Sequence, residues 1–172
     1  MRRSSLISVD IPDGVTSIGE GAFAFCSSLT SINIPDSVTS IGEGAFAFCK
    51  SLIGITIPSS VVSLEGNPFA RWSGVLHNKS KAFIYEDDVL FNKDKTILIA
   101  YRSKETSYII PKTVTCIGEY AFYECSSLIS VDIPDSVTSI GDSAFDGCSS
   151  LTSVDIPDSV KNIGVSAFSI SI

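Results

Sequence analysis

Residues 27–49 read SSLTSINIPDSVTSIGEGAFAFC and residues 4–26 read SSLISVDIPDGVTSIGEGAFAFC, matching at 19 of 23 positions. A chain that repeats itself this closely is organised by its period. Six copies of 23 residues emerge, at 4–26, 27–49, 50–72, 103–125, 126–148 and 149–171. The first three copies are contiguous, as are the last three, and an insert at 73–102 separates the two blocks.

Each column of the repeat has a physical task. Leu6, Leu29, Leu52, Leu128 and Leu151 share one column, and Ile11, Ile34, Ile57, Ile110, Ile133 and Ile156 another. Alternation in LTSINI describes a short strand with Ile turned inward and Ser and Asn outward. Proline follows every time, at 12, 35, 58, 111, 134 and 157. Without an N–H it cannot extend a ladder, so it stops each strand at the same height. VTSI adds a second short segment, and glycine (Gly19, Gly42, Gly118, Gly141, Gly164) turns the chain. Ala-Phe then opens a helical or 3₁₀ turn, with Phe23, Phe46, Phe69, Phe122, Phe145 and Phe168 pointing inward.

One copy cannot bury Leu, Ile, Val and Phe together, but stacked copies can, each covering the open face of the last. Strands ~4.8 Å apart then run parallel along the stack with like residues in register. The expectation is a repeat solenoid, read as a single domain over 1–172. The insert is itself a duplication: GVLHNKSKAFIY and DVLFNKDKTILIAY align at a 14-residue offset. Apolar runs around a polar four-residue turn predict two β-hairpins that continue or cover the stack.

The columns, roughly L-x-x-I-x-I-P-x-x-V-x-x-I-G-x-x-A-F-x-x-C, resemble the BspA-like branch of the leucine-rich repeats. The resemblance covers everything outside 73–102. It implies a right-handed superhelix of short parallel strands, and cell-surface or secreted proteins that adhere to host or matrix proteins. The third copy departs from the pattern. Glu65-Gly66-Asn67-Pro68-Phe69 replaces its turn, and Trp72 stands where Cys belongs.

Composition narrows the function. The chain is 44% hydrophobic and 18% charged, which argues for an ordered core. No apolar run approaches the ~20 residues of a membrane helix. The opening MRRSSLISVD lacks the apolar stretch of a secretory signal, which leaves a cytoplasmic location open beside the surface one. A formal charge of −7 disfavours nucleic acid or an anionic membrane as partner. Residues 71–104 hold seven of the twelve basic residues and four of the nineteen acids, so this stretch is +3 and the remainder −10.

Catalytic signals are sparse. Cys26, Cys49, Cys125 and Cys148 share a column at a spacing that suits no metal motif. A disulfide between neighbouring rungs has the right Cα range, but in-register side chains run parallel and Trp72 fills the same slot. The thiols are read as buried apolar fillers. GEGAFA at 19 and 42 imitates a phosphate loop, yet no long helix follows and the turn reading prevails. His77 is the only histidine, and its counterpart in the insert is Phe91, which makes it a sheet-face residue. Stacked carboxylates such as Asp13/Asp36 and Glu20/Glu43 offer a divalent cation a site, but solvated turns explain them as well. No cofactor and no metal follow. Asn78-Lys79-Ser80 is a glycosylation sequon with no route implied by this chain.

Two surfaces remain for a partner. The strand face, with Asp10, Asn33, Thr56, Asp132 and Asp155, is shallow and polar. The insert and its borders carry Arg71, Trp72, Lys79, Lys81, Tyr85, Phe91, Lys93, Lys95, Tyr101 and Arg102, the residue types that anchor interfaces. About half of these aromatics are expected to fill the break in the stack. The favoured reading is a non-catalytic, adhesin-like scaffold that binds another protein, such as a host or matrix protein, through the outward side of residues 71–108. The alternative is a structural module that associates weakly end to end, since the last copy closes with Ser171 in the Cys slot and no polar cap.

Overall fold

The computed structural model describes residues 5–169. Ser4, which opens the first copy, and Ser171, in the last Cys slot, lie outside the described residues. The chain forms two compact units, Met1–Phe83 and Ile84–Ile172. Both are stretches of parallel β-solenoid.

In the first unit, strands β1 (Ser8–Asp10), β3 (Ser31–Asn33), β5 (Gly54–Ile57) and β7 (Val75–Asn78) form one series. The second series is β2 (Ser17–Ile18), β4 (Ser40–Ile41) and β6 (Ser63–Leu64). Ser8 pairs with Ser31, Ser17 with Ser40 and Ser40 with Ser63, so the register is the sequence period. β1 and β3 stop two residues short of Pro12 and Pro35, and β5 runs up to Pro58. Inward columns are shut off from solvent: Leu29, Val38, Ile41, Phe46, Ile57 and Val61 have no exposed surface.

The Ala-Phe turns are not helical, and no α- or 3₁₀-helix occurs among the described residues. Two features explain the difference. Alternate amides in the turn bond to the next repeat: Phe23 N–H donates to Ala45 O and Phe25 N–H to Ala47 O, both at 2.8 Å. Gly21 (φ 59°) and Phe25 (φ 61°) also leave the right-handed region, which a helical run cannot accommodate. Each turn is therefore a third rung. Its phenylalanines form a ladder, with Phe23–Phe46 and Phe46–Phe69 centroids 5.6 and 6.1 Å apart.

Residues 73–102 contain two hairpins, arranged differently from the duplication. β7 pairs in parallel with β5, Thr56 opposite His77, and so adds a rung to the first solenoid. Strands β8 (Phe83–Glu86), β9 (Val89–Asn92) and β10 (Ile97–Tyr101) form a meander. The first hairpin turns at Asp87-Asp88, both with positive φ, as a type I′ loop requires. The second joins β9 and β10 antiparallel across the Asn92–Lys95 turn. Asn78 and Asn92 keep their matching roles as turn organisers. The Asn78 Oδ1 accepts from Ser80 N–H at 3.0 Å, and the Asn92 Oδ1 from Thr96 and Ile97 N–H at 2.8 and 2.9 Å.

In the second unit β10 passes the sheet on, pairing in parallel with β12 (Cys116–Ile117). β14 (Ser139–Ile140) and β15 (Asn162–Ile163) continue that series. β11 (Ser107–Ile109) and β13 (Ser130–Asp132) form the other. Its aromatic ladder runs Tyr101, Phe122, Phe145, Phe168 at 4.9, 4.7 and 5.1 Å.

All five cysteines are free thiols. Cys49 Sγ donates to Phe23 O and Cys148 Sγ to Phe122 O, each at 3.0 Å, so the thiol column ties one rung to the last. Burial pushes both thiols up to about 11, with the charge of Cys26 adding to the rise at Cys49. Trp72 fills the same slot in the third copy but bonds within that copy, its indole N–H donating to Leu52 O at 2.8 Å.

Candidate protein-binding surface

The ten residues singled out around the insert divide between the two units. In the first, Arg71, Lys79 and Lys81 are exposed, whereas Trp72 is buried against Phe69 with ring centroids 5.8 Å apart. Gly74 makes room for that indole, since a Cβ there would come 2.6 Å from its Cζ2. Arg71 lies with its guanidinium carbon 5.9 Å over the Phe48 ring. Lys79, one residue beyond β7, reaches the rim of an open groove of about 800 Å³ that also holds Asp13, Asn33, Asp36 and Thr56.

The sequon is occupied by the turn itself. Asn78 Nδ2 donates to Ser80 O and Phe83 O at 3.1 and 2.9 Å, and the buried Ser80 hydroxyl donates to Val61 O at 2.6 Å. His77 is exposed on β7, in the outward column of Asn33 and Thr56.

In the second unit Lys93 is exposed, and Lys95 forms an ion pair with Glu86 while its ammonium sits 5.9 Å over the Phe91 ring. Phe91 and Tyr101 are 1% and 4% exposed, so they belong to the core and not to a contact face. For Tyr101 the reason is readable: Ala100-Tyr101 takes the Ala-Phe slot of its rung. Its amide donates to Ala121 O at 2.8 Å, as that of Phe122 does to Ala144 O at 2.7 Å.

Tyr85 is half-buried and donates its hydroxyl to Asp88 Oδ1 at 2.8 Å. Burial first, then this bond, pushes its phenol up to about 12. Arg102 is partly buried nearby; burial lowers its pKa, while Tyr85 and Asp88 oppose the shift. Within the second unit, then, Phe91 lies beneath Lys95, and Tyr85 acts electrostatically on Arg102.

One outward feature escaped the sequence reading. Phe25 and Phe48 stack at 4.6 Å on the outside of the turns, and Phe25 is 53% exposed. The signal was present: FAFC in the first two copies becomes FYEC and FDGC later, so this second Phe occupies a solvent column.

Six copies of the BspA type leucine rich repeat region match residues 1–83 and 100–172. The chain belongs to the BspA-type leucine-rich repeat family. Among solved structures, this BspA-type chain resembles the pneumococcal vaccine antigen PcpA, at 28% identity and a TM-score of 0.79, over 94% of this chain and 47% of that one. A leucine rich cell surface protein from Faecalibacterium prausnitzii A2-165 is 31% identical, TM-score 0.70, over 92% and 49% of the two chains. A leucine-rich repeat protein from Eubacterium ventriosum is 29% identical, TM-score 0.65, over 91% and 55%. The chain thus spans about half the length of these proteins. Among curated proteins, none matches. Repeats of this family typically serve as non-catalytic scaffolds for protein–protein contact, and the relatives include surface proteins.

Proposed function

We propose that this chain is a non-catalytic, adhesin-like binding scaffold of a cell-surface or secreted protein, engaging a host or matrix protein. One observation carries the reading. In and beside the insert, Trp72, Phe91 and Tyr101 go into the core, whereas Arg71, Lys79, Lys81 and Lys93 stay exposed in turns and loops. Exposed cations suit an acidic partner, and they do so on a molecule whose net charge is −7. The proposed partner residues are Arg71, Lys79 and Lys81 in the first unit and, in the second, Lys93 with Tyr85, Lys95 and Arg102. Immobilised matrix glycoproteins test it, by retention of the wild-type chain at physiological salt and its release as ionic strength rises.

A second reading, self-assembly through repeat faces, draws on an apolar groove of about 260 Å³ lined by Phe145, Cys148, Leu151, Val154, Ile156 and Phe168. A mass from light scattering that grows with concentration would favour it.

A further inference from the structure

The outward column of Phe25, Phe48 and Arg71 has left-handed backbone at every rung, with φ of 61°, 59° and 58°. Bulky side chains are uncommon there, because Cβ crowds the following carbonyl. In the second unit the same column holds Glu124 (φ 52°) and Gly147 (φ 74°). The turn closes equally well with those residues. Phe25 and Phe48 amides donate to Ala47 O and Ala70 O at 2.8 and 3.2 Å, and Glu124 and Gly147 amides to Asp146 O and Ser169 O at 2.7 and 2.9 Å. Aromatic rings here are thus not a requirement of the solenoid. They occupy a strained position where glycine serves, and they keep an apolar edge in water.

We propose that the Phe25–Phe48–Arg71 column docks a polypeptide segment that pairs an aromatic side chain with a carboxylate. The two rings are nearly parallel, 9° apart, and the spacing of 4.6 Å is that of offset stacking, so a partner ring extends an existing ladder. The cationic rung selects the charge. Arg71 caps the ladder over Phe48, and Lys50, exposed two residues after Phe48, adds a second cation. A carboxylate beside the partner's ring meets both, whereas the remaining body of the molecule repels it. This site shares Arg71 with the reading above but uses none of the insert lysines, so the phenylalanine and insert-lysine variants tell the two apart.

The test is a random peptide phage library selected on the full chain, followed by synthesis of the enriched consensus and fluorescence anisotropy. Enrichment of peptides with an aromatic residue next to Asp or Glu is expected. The double variant F25E/F48G, which writes the second unit's residues into the first, should keep the melting temperature and weaken the consensus peptide at least tenfold. R71E leaves both rings in place and should lose the preference for acidic peptides while retaining that for aromatic ones. Lysine variants K93E and K95E should bind the peptide as wild type does. Failure to enrich any such motif, equal binding by F25E/F48G, or ring-dependent hits confined to a glycan array would each overturn the proposal.

Discussion

Gly141 lies so close to the preceding rung that a Cβ on it would come 2.6 Å from the amide nitrogen of Glu119. Gly42 meets the backbone of Glu20 in the same way. Neither has a positive φ, so glycine is needed here for approach and not for conformation. Gly19, in the same column, has nothing within 4 Å of such a Cβ. Gly141→Ala should therefore cost roughly 1–3 kcal/mol, in the range of overpacked sites. Gly19→Ala should be neutral or stabilise by up to about 1 kcal/mol through the unfolded chain. Denaturant unfolding of the two variants makes the comparison.

The aromatic ladder should carry much of the second unit's stability. Phe122 is fully buried between Tyr101 and Phe145, at 4.9 and 4.7 Å. Phe122→Ala should cost about 3–5 kcal/mol, as deletion of a core aromatic does. Phe25→Ala, on the exposed column, should change stability by only about 0.5 kcal/mol.

The thiols give a redox and a pH prediction. Titration of the denatured chain without reductant should find five free groups, matching the five unpaired cysteines. In the folded state Cys49 and Cys148 hold their protons to about 11, and Tyr85 and Tyr108 to about 12. The unfolded chain releases them near their ordinary values of 9.0 and 10.0, so above pH 9.0 it binds fewer protons than the fold. Stability should be level below that point and fall as pH rises toward 12. Melting curves from pH 7 to 11 check the slope, which Cys49→Ala/Cys148→Ala should make shallower.

Much of this architecture was legible because the repeat writes every inward contact several times over. The Phe, Gly and Pro columns each have one location in the stack, and the structure puts them there. The turn was harder. Ala-Phe reads as helical in isolation, but its amides are claimed by the next copy, a contact no single repeat displays. The first hairpin failed to follow its duplication because the parallel edge of β5 was available to β7. Which aromatics fill the break was not legible: Tyr101 lies inward because Ala100-Tyr101 takes an Ala-Phe slot that its rung does not mark with a Phe. Lys79, Lys81 and Lys93 are exposed, as long cations usually are.

The turn asparagines offer a local test. Asn78 makes three hydrogen bonds across its turn, to Ser80 and Phe83. Asn78→Ala should cost about 1–3 kcal/mol by leaving half-buried backbone groups unpaired. Lys79→Ala, next to it and exposed, should cost almost nothing. Chemical denaturation with hydrogen exchange at Ser80 and Ala82 would localise the loss.

The most direct test of the binding account is charge reversal of the insert, with Lys79, Lys81, Lys93 and Lys95 each replaced by Glu. Lys95 also gives up its surface ion pair with Glu86, a loss worth at most about 1 kcal/mol. Retention on immobilised matrix glycoproteins, measured beside far-UV circular dichroism and melting, should be abolished or strongly weakened with the fold intact. Replacing Asp10, Asp132 and Asp155 with Lys on the strand face should matter less. Loss of binding from the strand-face set, with the lysine set still bound as wild type, would contradict the account.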